Sequence, residues 1–374
     1  MQVNNLYSEL YPCDASGNTP NFLPDSLKNN LSRFHYKMYA GADFSYKTGK
    51  FKVNATLPVN YNHYQLKNKI YTINNESANK LYLEPSIYIQ YILNSKIEIN
   101  ANTSFYNGMN GINELYSGFL LENYRYLNQY NSHLADFHGS YHSLDFAYKN
   151  IIKQFFTNAT VFYSMNKNSI IYSQHFENNL QVSSLVFQPT QSSIGGVVGK
   201  AGKGFDWMRL NIDFGASWQV NASQVVRQDN LVNYTTDMLN LSGKLNIVPV
   251  HFLTVSLATD WQQRHSRIKK QETFKPVHVF TNTLNIAFKL SEQLWLGARL
   301  EQYYSNAFHS NKLVYFSDIH LNYRWKQIHF ELDWNNMLNV KNYIRSSHDG
   351  MNEYQSVYRI RPASILLKAR FKLK

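Results

Sequence analysis

The sequence has little of what stabilises many proteins of its size, beginning with cysteine. Cys13 is the only cysteine among 374 residues, which excludes an internal disulfide framework. No run of about 18 apolar residues is present, which excludes membrane-spanning helices. No domain-like break interrupts the chain, so the composition favours one continuous architecture rather than two or three soluble domains.

Recognisable catalytic motifs are also absent. The sequence has no Gly-x-Ser-x-Gly, no phosphate-binding loop, no His-Glu-x-x-His and no cysteine pair for a metal. Neither a Ser/His/Asp arrangement nor a pair of carboxylates at catalytic spacing stands out. We therefore expect a protein that is not an enzyme, with no catalytic residues, no cofactor and no resident metal.

The first thirty residues lack a signal peptide. Residues 1–30 are polar and contain Pro12, Pro20 and Pro24, without an apolar core of the kind that directs export. We predict an irregular N-terminal segment at 1–30 and one β-barrel domain at 31–374. Because such a barrel must be exported, the expectation is that a signal was removed or that the chain is the downstream part of a longer protein.

What the sequence has in abundance is alternation of apolar and polar residues. From Trp207 to Trp218, every second residue from Met208 onward is apolar or small, and the residues between are mostly polar. Side chains of a β-strand point alternately to opposite faces, so such a segment has one apolar and one polar face. More than a dozen segments between Leu31 and the end of the chain show this pattern. It favours a barrel that meets lipid outside and water inside.

Composition agrees with this interpretation. Aromatic residues make up 15% of the chain, and many lie near the ends of alternating segments, as in the aromatic girdles of membrane barrels. The mean hydropathy of −0.43 is low, because a barrel strand shows lipid only every second residue. The predicted fold class is therefore all-β, an antiparallel meandering transmembrane β-barrel of about 14–16 strands, which we expect to be part of a larger barrel.

The connections between the alternating segments differ systematically in length. Short turns, such as Thr48–Lys50, alternate with long polar connections, predicted at 64–80, 106–140, 166–192, 219–237, 263–275, 306–311 and 337–354. Outer-membrane barrels have short periplasmic turns and long extracellular loops. A second short turn is predicted at Lys203–Phe205, before a strand that begins at Trp207.

The charge of the chain is strongly positive, at +12. Nucleic-acid binding is one interpretation, but the basic residues form no stripe, so we expect no nucleic-acid partner. A basic lumen or rim that faces anionic headgroups and solutes fits better. The candidate lumen-facing residues are Arg209, Asp213, Asp318, His320 and Arg324. These side chains either line a solute path or only hydrate the lumen, and we favour hydration.

A group of histidines is the best candidate in the sequence for a binding site. His133, His138 and His142 surround Asp136 within a predicted extracellular loop. In such a loop they could bind a metal or an iron complex. The alternative, that they are ordinary solvated loop histidines, is favoured.

The C-terminal third resembles a known family. Trp334–Tyr343 reads Trp-Asn-Asn-Met-Leu-Asn-Val-Lys-Asn-Tyr, similar to the Asn-Leu-Phe-Asn-Lys-x-Tyr segment of TonB-dependent outer-membrane receptors. The ending from Tyr358 resembles their last strand, although it finishes in Lys-Leu-Lys rather than in an aromatic residue. The Arg-Pro pair before that strand, Glu122–Arg125 and Lys203–Phe205 look most like members from Bacteroidota.

The resemblance implies a localisation, a function and partners. It implies a receptor in the bacterial outer membrane that imports a bulky solute such as an iron complex, peptide or glycan, with membrane lipid, the barrel-assembly machinery and a surface lipoprotein as partners. It also implies a plug, a TonB box and 22 strands, which this sequence does not show. We therefore expect the C-terminal two thirds of a barrel, which pairs with a plug-bearing N-terminal part. The alternatives are a complete passive channel and an adhesive surface barrel.

Overall fold

The computed structural model describes residues 1–12, 19, 22–70, 75–130, 133–177, 180–268, 274–308, 312–349 and 352–371; of residues 345–349 and 352–354 it describes the backbone alone. Cys13 and the last three residues, which carry part of the terminal sequence resemblance, lie outside this range.

Most of the described chain is in β-strands. The strands are β1 (Gln2–Glu9), β2 (Lys28–Thr48), β3 (Phe51–Asn68), β4 (Glu76–Leu83), β5 (Ser86–Asn94), β6 (Ile97–Met109), β7 (Leu120–Asn123), β8 (Tyr126–Gln129), β9 (Asp136–Asn150), β10 (Phe155–Asn168), β11 (Ile171–Glu177), β12 (Leu180–Val186), β13 (Thr190–Phe205), β14 (Leu210–Arg227), β15 (Asn230–Val250), β16 (Leu253–Ile268), β17 (Val277–Lys289), β18 (Leu294–Ser305), β19 (Leu313–Trp325), β20 (Ile328–Asn335), β21 (Asn342–Asp349), β22 (Asn352–Arg359) and β23 (Ser364–Phe371).

Helical structure is confined to single turns. The described residues contain three 3-10 helices, at Asp25–Leu27, Ile112–Glu114 and Trp207–Arg209, and no α-helix. Within this part of the chain, no helix has the length and apolar character needed to cross a membrane.

The strands form one antiparallel meander. β4 and β5 are separated only by Glu84 and Pro85 and pair with the same strand, so they count as one interrupted strand. Fifteen strands then follow one another, each paired with the next: β2, β3, β4/β5, β6, β9, β10, β13 to β20 in order, and β23. The predicted all-β meandering architecture is confirmed.

The sheet is open between its first and last strands. Among the described residues, β23 pairs only with β20, and no pairing joins it to β1 or β2. β1 pairs with Lys28–His35 at the start of β2, which leaves the rest of that edge of β2 without a neighbour.

The register places apolar residues on one face of the whole sheet. Leu257 lies opposite Leu245 on one side and Leu284 on the other, and Leu284 lies opposite Leu300. Residues directly opposite one another in a ladder share a face, so the alternation of each strand continues in its neighbours. We call this the apolar face, and the opposite one the polar face.

Aromatic side chains border the apolar face at both ends. We call the end with the short turns the short-turn end and the opposite one the long-loop end. Exposed aromatic residues lie near the long-loop end at Tyr36, Tyr61, Phe105, Tyr163, Trp218, Tyr315 and Trp334, and near the short-turn end at Tyr46, Phe51, Tyr91, Tyr323, Trp325 and Phe371. Tyr46 lies ten positions after Tyr36. At a rise of about 3.3 Å and a tilt of about 40°, they span about 25 Å.

The chain exposes far more surface than a compact soluble protein. Its accessible surface is 23745 Å², whereas a compact monomer of 43.7 kDa exposes about 15,000 Å². Large apolar side chains contribute to the excess: Phe214 is 53% exposed and Trp218 is 51% exposed. Ile212 and Tyr323 on the same face are likewise exposed, whereas Leu210, Leu321, Ile328 and Phe330 are half-buried.

One predicted turn is displaced along the chain. Lys203–Phe205 belongs to β13, and the turn follows at Asp206–Arg209, where Met208 and Arg209 have φ values of 56° and 45°. The prediction that a strand begins at Trp207 was therefore wrong by three residues. Met208 and Leu210 are both apolar, so the alternation of the sequence continues through the turn and conceals it.

Several predicted loops are strands. β14 and β15 continue as a ribbon to a tight turn at Gln228–Asp229, in place of a loop at 219–237. The connections predicted at 106–140 and 166–192 contain β7, β8, β11 and β12, and the one at 337–354 contains β21 and β22. The segment 1–30 is not irregular throughout, because Gln2–Glu9 forms β1. Pairing with neighbouring strands satisfies backbone groups that a simple loop would leave to water.

Two of these connections fold into a cap at the long-loop end. β8 and β12 pair in parallel, and β11 pairs in parallel with the end of β14, so the connections 110–135 and 169–189 join one small sheet. Leu31, Leu66 and Leu115 are the largest fully buried side chains of the described chain, and all three lie at this end. The apolar core of the molecule is therefore in its cap region.

Hydrogen bonds attach the cap to the polar face of the sheet. The Asn29 side chain accepts from the backbone N–H of Gly118 at 2.7 Å and donates to the carbonyl of the same residue at 3.2 Å. Asn68 Nδ2 donates to Ser117 Oγ at 3.2 Å. Arg33 in β2 and Leu66 in β3 lie opposite one another on the polar face. Asn29 is four residues from Arg33 and Asn68 is two residues from Leu66, so both asparagines point to that same face. The cap therefore covers the polar face and leaves the apolar face free.

Gly118→Ala is expected to detach the cap locally. A Cβ atom at Gly118 would collide with the backbone carbonyl of Lys28, and overpacking of this kind costs about 1–3 kcal/mol. A Cβ at Gly111, in the same connection, meets nothing within 4 Å, so Gly111→Ala is the matched control. Hydrogen exchange of residues 115–130 measures the effect. Equal protection in the two variants would contradict this attachment.

Candidate functional site

Charged side chains form a network on the polar face of the last strands. The Nδ1 atom of His320 in β19 lies 2.9 Å from Oδ1 of Asp333 in β20. Lys368 in β23 donates to the other oxygen of the same carboxylate at 2.8 Å. Asp333 therefore joins three consecutive strands through its two oxygens.

A second carboxylate extends the network toward the short-turn end. Arg370 of β23 donates to Glu331 Oε2 at 3.1 Å, and Lys368 Nζ lies 3.8 Å from the same oxygen. Exposed ion pairs contribute at most about 1 kcal/mol each, so the network does little to hold the sheet together. It places side chains of both charge signs on the polar face.

Three of the predicted lumen-facing residues lie in this region. Asp318 is opposite Arg299, and its Oδ1 accepts a hydrogen bond from the backbone of Asn336 at 2.8 Å. His320 is in the network described above. Arg324 is exposed and opposite His329, near the short-turn end. All three share the polar face of β19.

Asp213 lies on the same face farther along the sheet. It is opposite Gly202 in β13 and Lys244 in β15, and it lines a cavity of about 900 Å³. Lys149 and Lys200 also line this cavity. No carboxylate in the described ranges lies within ion-pair distance of these three lysines.

Arg209 lies in a turn and not in a strand. Its φ of 45° puts it in the turn before β14, at the short-turn end. The prediction that Arg209 is on a lumen-facing strand position was wrong, for the same reason that the turn was displaced.

The three loop histidines are in different places and do not converge. His133 contacts the carboxylate of Glu76, and His138 Nδ1 lies 2.5 Å from the side-chain oxygen of Asn107. His142 is on the apolar face, with Nδ1 3.3 Å from Thr103 Oγ1 and its ring edge-on to Phe105. His138 and His142 lie in β9, not in a loop.

No group of three metal-binding side chains occurs among the described residues. His138 and His142 are four residues apart on one strand, which separates their backbones by about 13 Å.

One asparagine of the segment Trp334–Tyr343, which resembles TonB-dependent receptors, hydrogen-bonds to both ends of the last long connection. Asn336, with a φ of 51°, donates through Nδ2 to the carbonyls of Val340 and Arg361, at 2.9 Å each. Its Oδ1 accepts from the backbone N–H of Val340 at 2.9 Å. One buried amide thus joins both ends of the connection that carries β21 and β22. The N–H of Ala363 donates to Asn339 Oδ1 at 3.2 Å in the same turn.

Tyrosines line the inside of the cap. The rings of Tyr116 and Tyr130 lie 5.0 Å apart, and Tyr172 lies edge-on to Tyr130 at 5.7 Å. Tyr172 donates to Glu114 at 2.7 Å. Burial raises the pKa of all three phenols above the ordinary value, and the Glu114 carboxylate raises the pKa of Tyr172 further. All three therefore stay neutral hydrogen-bonding groups near neutral pH.

Sequence reasoning missed part of this site. Lys368 and Arg370 alternate with Leu367 and Ala369 in the last strand, so the same two-residue period identifies them as polar-face residues. No sequence pattern predicts the cap, because the cap depends on contacts between residues far apart in the sequence, such as Asn29 and Gly118.

Comparisons with known proteins give similarity to solved structures alone. No protein-family model matches the sequence, and no curated protein matches it. The structure is similar to the copper transporter OprC, with 10% identity, a TM-score of 0.40, and 92% of this chain and 59% of that chain covered. The chain therefore spans 59% of the length of OprC.

Two further similar structures are OmpT, an outer membrane protein of Vibrio cholerae, and CdiB from Acinetobacter baumannii. OmpT has 7% identity and a TM-score of 0.28, with 74% of this chain and 87% of that chain covered. CdiB has 8% identity and a TM-score of 0.27, with 89% and 61% covered.

Asn336→Ala is expected to loosen the last long connection. It removes three hydrogen bonds, and it places alanine at a positive φ, where alanine is strained. The expected cost is about 2–4 kcal/mol, from roughly 1 kcal/mol per hydrogen bond plus backbone strain. Asn336→Gly removes the amide without the strain and should cost less. Asn335→Ala, one residue earlier, is the control. Protease cleavage within 340–361 measures the loosening, and unchanged cleavage in Asn336→Ala would contradict the role of the amide.

Proposed function

We propose that the chain forms the wall of a solute-conducting β-barrel in the bacterial outer membrane. The observation that supports this most is the continuous apolar face, exposed across fifteen strands and bordered by aromatic residues at both ends. In water such a face would aggregate. In a membrane it meets a hydrocarbon layer whose thickness matches the distance of about 25 Å between the aromatic borders.

In this proposal the polar face lines the lumen. A barrel of more than about 14 strands is too wide to be filled by wall side chains alone, so its polar face is wet. Asp333, Lys368 and Lys244 then face the aqueous path. The long-loop end faces the outside of the cell, the short-turn end faces the periplasm, and the cap partly covers the external mouth.

The finer proposal is a TonB-dependent receptor, of the type found in Bacteroidota, that imports a bulky solute. It is supported by the sequence resemblance at Trp334–Tyr343 and by the Asn336 amide, which gives this segment a defined structural role. A capped mouth also suits an importer better than a passive channel. Energised import requires a plug and a motor-contacting segment in addition to a wall.

Uptake by the source bacterium distinguishes the candidate functions. The gene is deleted and restored, in cells with and without the inner-membrane motor, and uptake of labelled iron complexes, peptides and oligosaccharides is measured. An importer gives uptake of one of these solutes that needs both gene and motor. Gene-dependent, motor-independent uptake would indicate a channel, and unchanged uptake with lost surface binding would indicate an adhesin.

The orientation is tested by labelling single cysteines in the same cells, in a Cys13→Ser background. Tyr124, in the cap, is 81% exposed, and Ile152, in a short turn, is 93% exposed. A membrane-impermeant maleimide should label Tyr124→Cys in intact cells, and Ile152→Cys only after the outer membrane is permeabilised. Labelling of both in intact cells would contradict the orientation.

Leu257→Arg and Ser256→Arg test which face meets lipid. These neighbours lie at the same depth in β16 but on opposite faces. Arginine on the lipid face near mid-bilayer costs about 2–4 kcal/mol, and far less in the lumen. Leu257→Arg should therefore lower the amount of protein in the outer-membrane fraction and its urea midpoint, while Ser256→Arg leaves both near the unsubstituted values. Equal losses would refute the assignment.

A further inference from the structure

A buried charge on the polar face has no counter-ion. Arg33 of β2 is 7% exposed, and its Nε atom is enclosed without a hydrogen-bond partner. Among the described residues, its side chain makes no hydrogen bond and no ion pair. Its guanidinium lies over the ring of Tyr64, with Cζ 5.1 Å from the ring centroid. Leu134 of the cap packs against the buried cluster that contains Tyr64, so the cation lies where the cap meets the sheet.

The carboxylates of the neighbouring strand are engaged elsewhere. Glu76 of β4 lies in the same cross-strand row as Arg33, two strands away. One of its oxygens contacts His133, and the other accepts from the backbone N–H of Leu134 at 2.9 Å. Glu84, directly after β4, accepts hydrogen bonds through both of its oxygens. These two acids therefore hold other segments and leave the charge of Arg33 unpaired.

Arg33 lies at the margin of the covered part of the polar face. Leu31, the preceding residue on this face of β2, is 1% exposed. In the other direction His35 is half-buried, and Lys37 is exposed. The ring of His35 stacks on that of Tyr64, with the centroids 4.3 Å apart. Along the strand, one side chain therefore separates the guanidinium from the open polar face, and a solute can approach it from there.

The chemistry of a buried guanidinium favours an oxyanion as its partner. Arginine keeps its charge in proteins and carries five N–H donors, which a contact with an aromatic face leaves unsatisfied. The planar fork of these donors matches the two oxygens of a carboxylate or phosphate. Burial of a charge is costly unless the charge is paired. An anion that binds only when the cap is closed therefore stabilises the closed cap by mass action.

We propose that Arg33 is the central residue of an anion-binding site at the margin of the cap, and that a carboxylate or phosphate group from solution, bound there, holds the cap against the sheet. The alternative is that Arg33 only packs against Tyr64. This site rests on contacts between the cap and the sheet, and it does not require the solute-conducting role.

Hydrogen exchange of residues 115–130 tests the site in the protein purified from the source bacterium. Sodium phosphate, sodium acetate and sodium chloride are compared at one pH and one ionic strength. Phosphate, acetate or both should slow the exchange severalfold relative to chloride, and increasingly with concentration. A response to phosphate alone identifies a phosphate group as the ligand, and a response to acetate identifies a carboxylate. Equal exchange in the three salts would overturn the proposal.

Arg33→Met removes the charge and keeps a long side chain over Tyr64. In chloride its cap should exchange more slowly than that of the original chain, because no unpaired charge remains beneath it, and the oxyanions should have no further effect. Lys37→Met is the matched control, since it removes an exposed charge from the same face of the same strand. The control should keep the full oxyanion effect. An oxyanion effect that persists in Arg33→Met, or that is lost in the control, would contradict the site.

Chemical modification of the original chain gives a test that needs no variant. Phenylglyoxal reacts with accessible guanidinium groups, and mass spectrometry locates the modified arginines. Arg125 is the matched arginine, because it also lies over a tyrosine, with Cζ 5.2 Å from the ring centroid of Tyr124, but is exposed. The effective oxyanion should slow the modification of Arg33 severalfold and leave that of Arg125 unchanged. Equal slowing at both arginines, or none at Arg33, would show that Arg33 only packs against Tyr64.

Discussion

The structure depends on one sheet that has an apolar and a polar face while it satisfies its backbone only through neighbouring strands. Each strand must alternate, and its neighbours must keep the same register, or apolar and polar residues would mix on one face. The cross-strand row from Leu245 through Leu257 and Leu284 to Leu300 shows that four strands keep this register. Two-residue alternation in the sequence therefore becomes a property of the entire sheet.

The same constraint explains where ordinary packing occurs. A wall one sheet thick has no interior, so fully buried side chains such as Leu31, Leu66 and Leu115 gather where the cap lies against the polar face. Charged groups such as Asp333 and Lys368 lie on the polar face, where they form an ion pair. The cap and the charged side chains thus both lie on the polar face of the sheet.

The sequence predicted what depends on short-range periodicity. The faces of β14, β16 and β19 follow directly from alternation, and fifteen successive strands agree with the predicted number. The turn at Asp206–Arg209 was displaced because Met208 and Leu210 continue the period through it. The cap was missed, since the contact of Asn29 with Gly118 joins residues that no local pattern relates. Of the candidate site, Asp213, Asp318, His320 and Arg324 share the polar face, whereas Arg209 lies in the turn.

A nitroxide scan of β16, from Leu253 to Trp261, in the outer membrane of the bacterium tests whether the two faces of the sheet meet lipid and water. Collisions with oxygen report lipid, and collisions with a water-soluble nickel chelate report the lumen. If the apolar face meets lipid and the polar face meets water, the two accessibilities alternate with a period of two, with oxygen maxima at Val255, Leu257 and Thr259 and nickel maxima at the residues between. Equal accessibility of both faces to the nickel chelate would contradict this assignment of the faces.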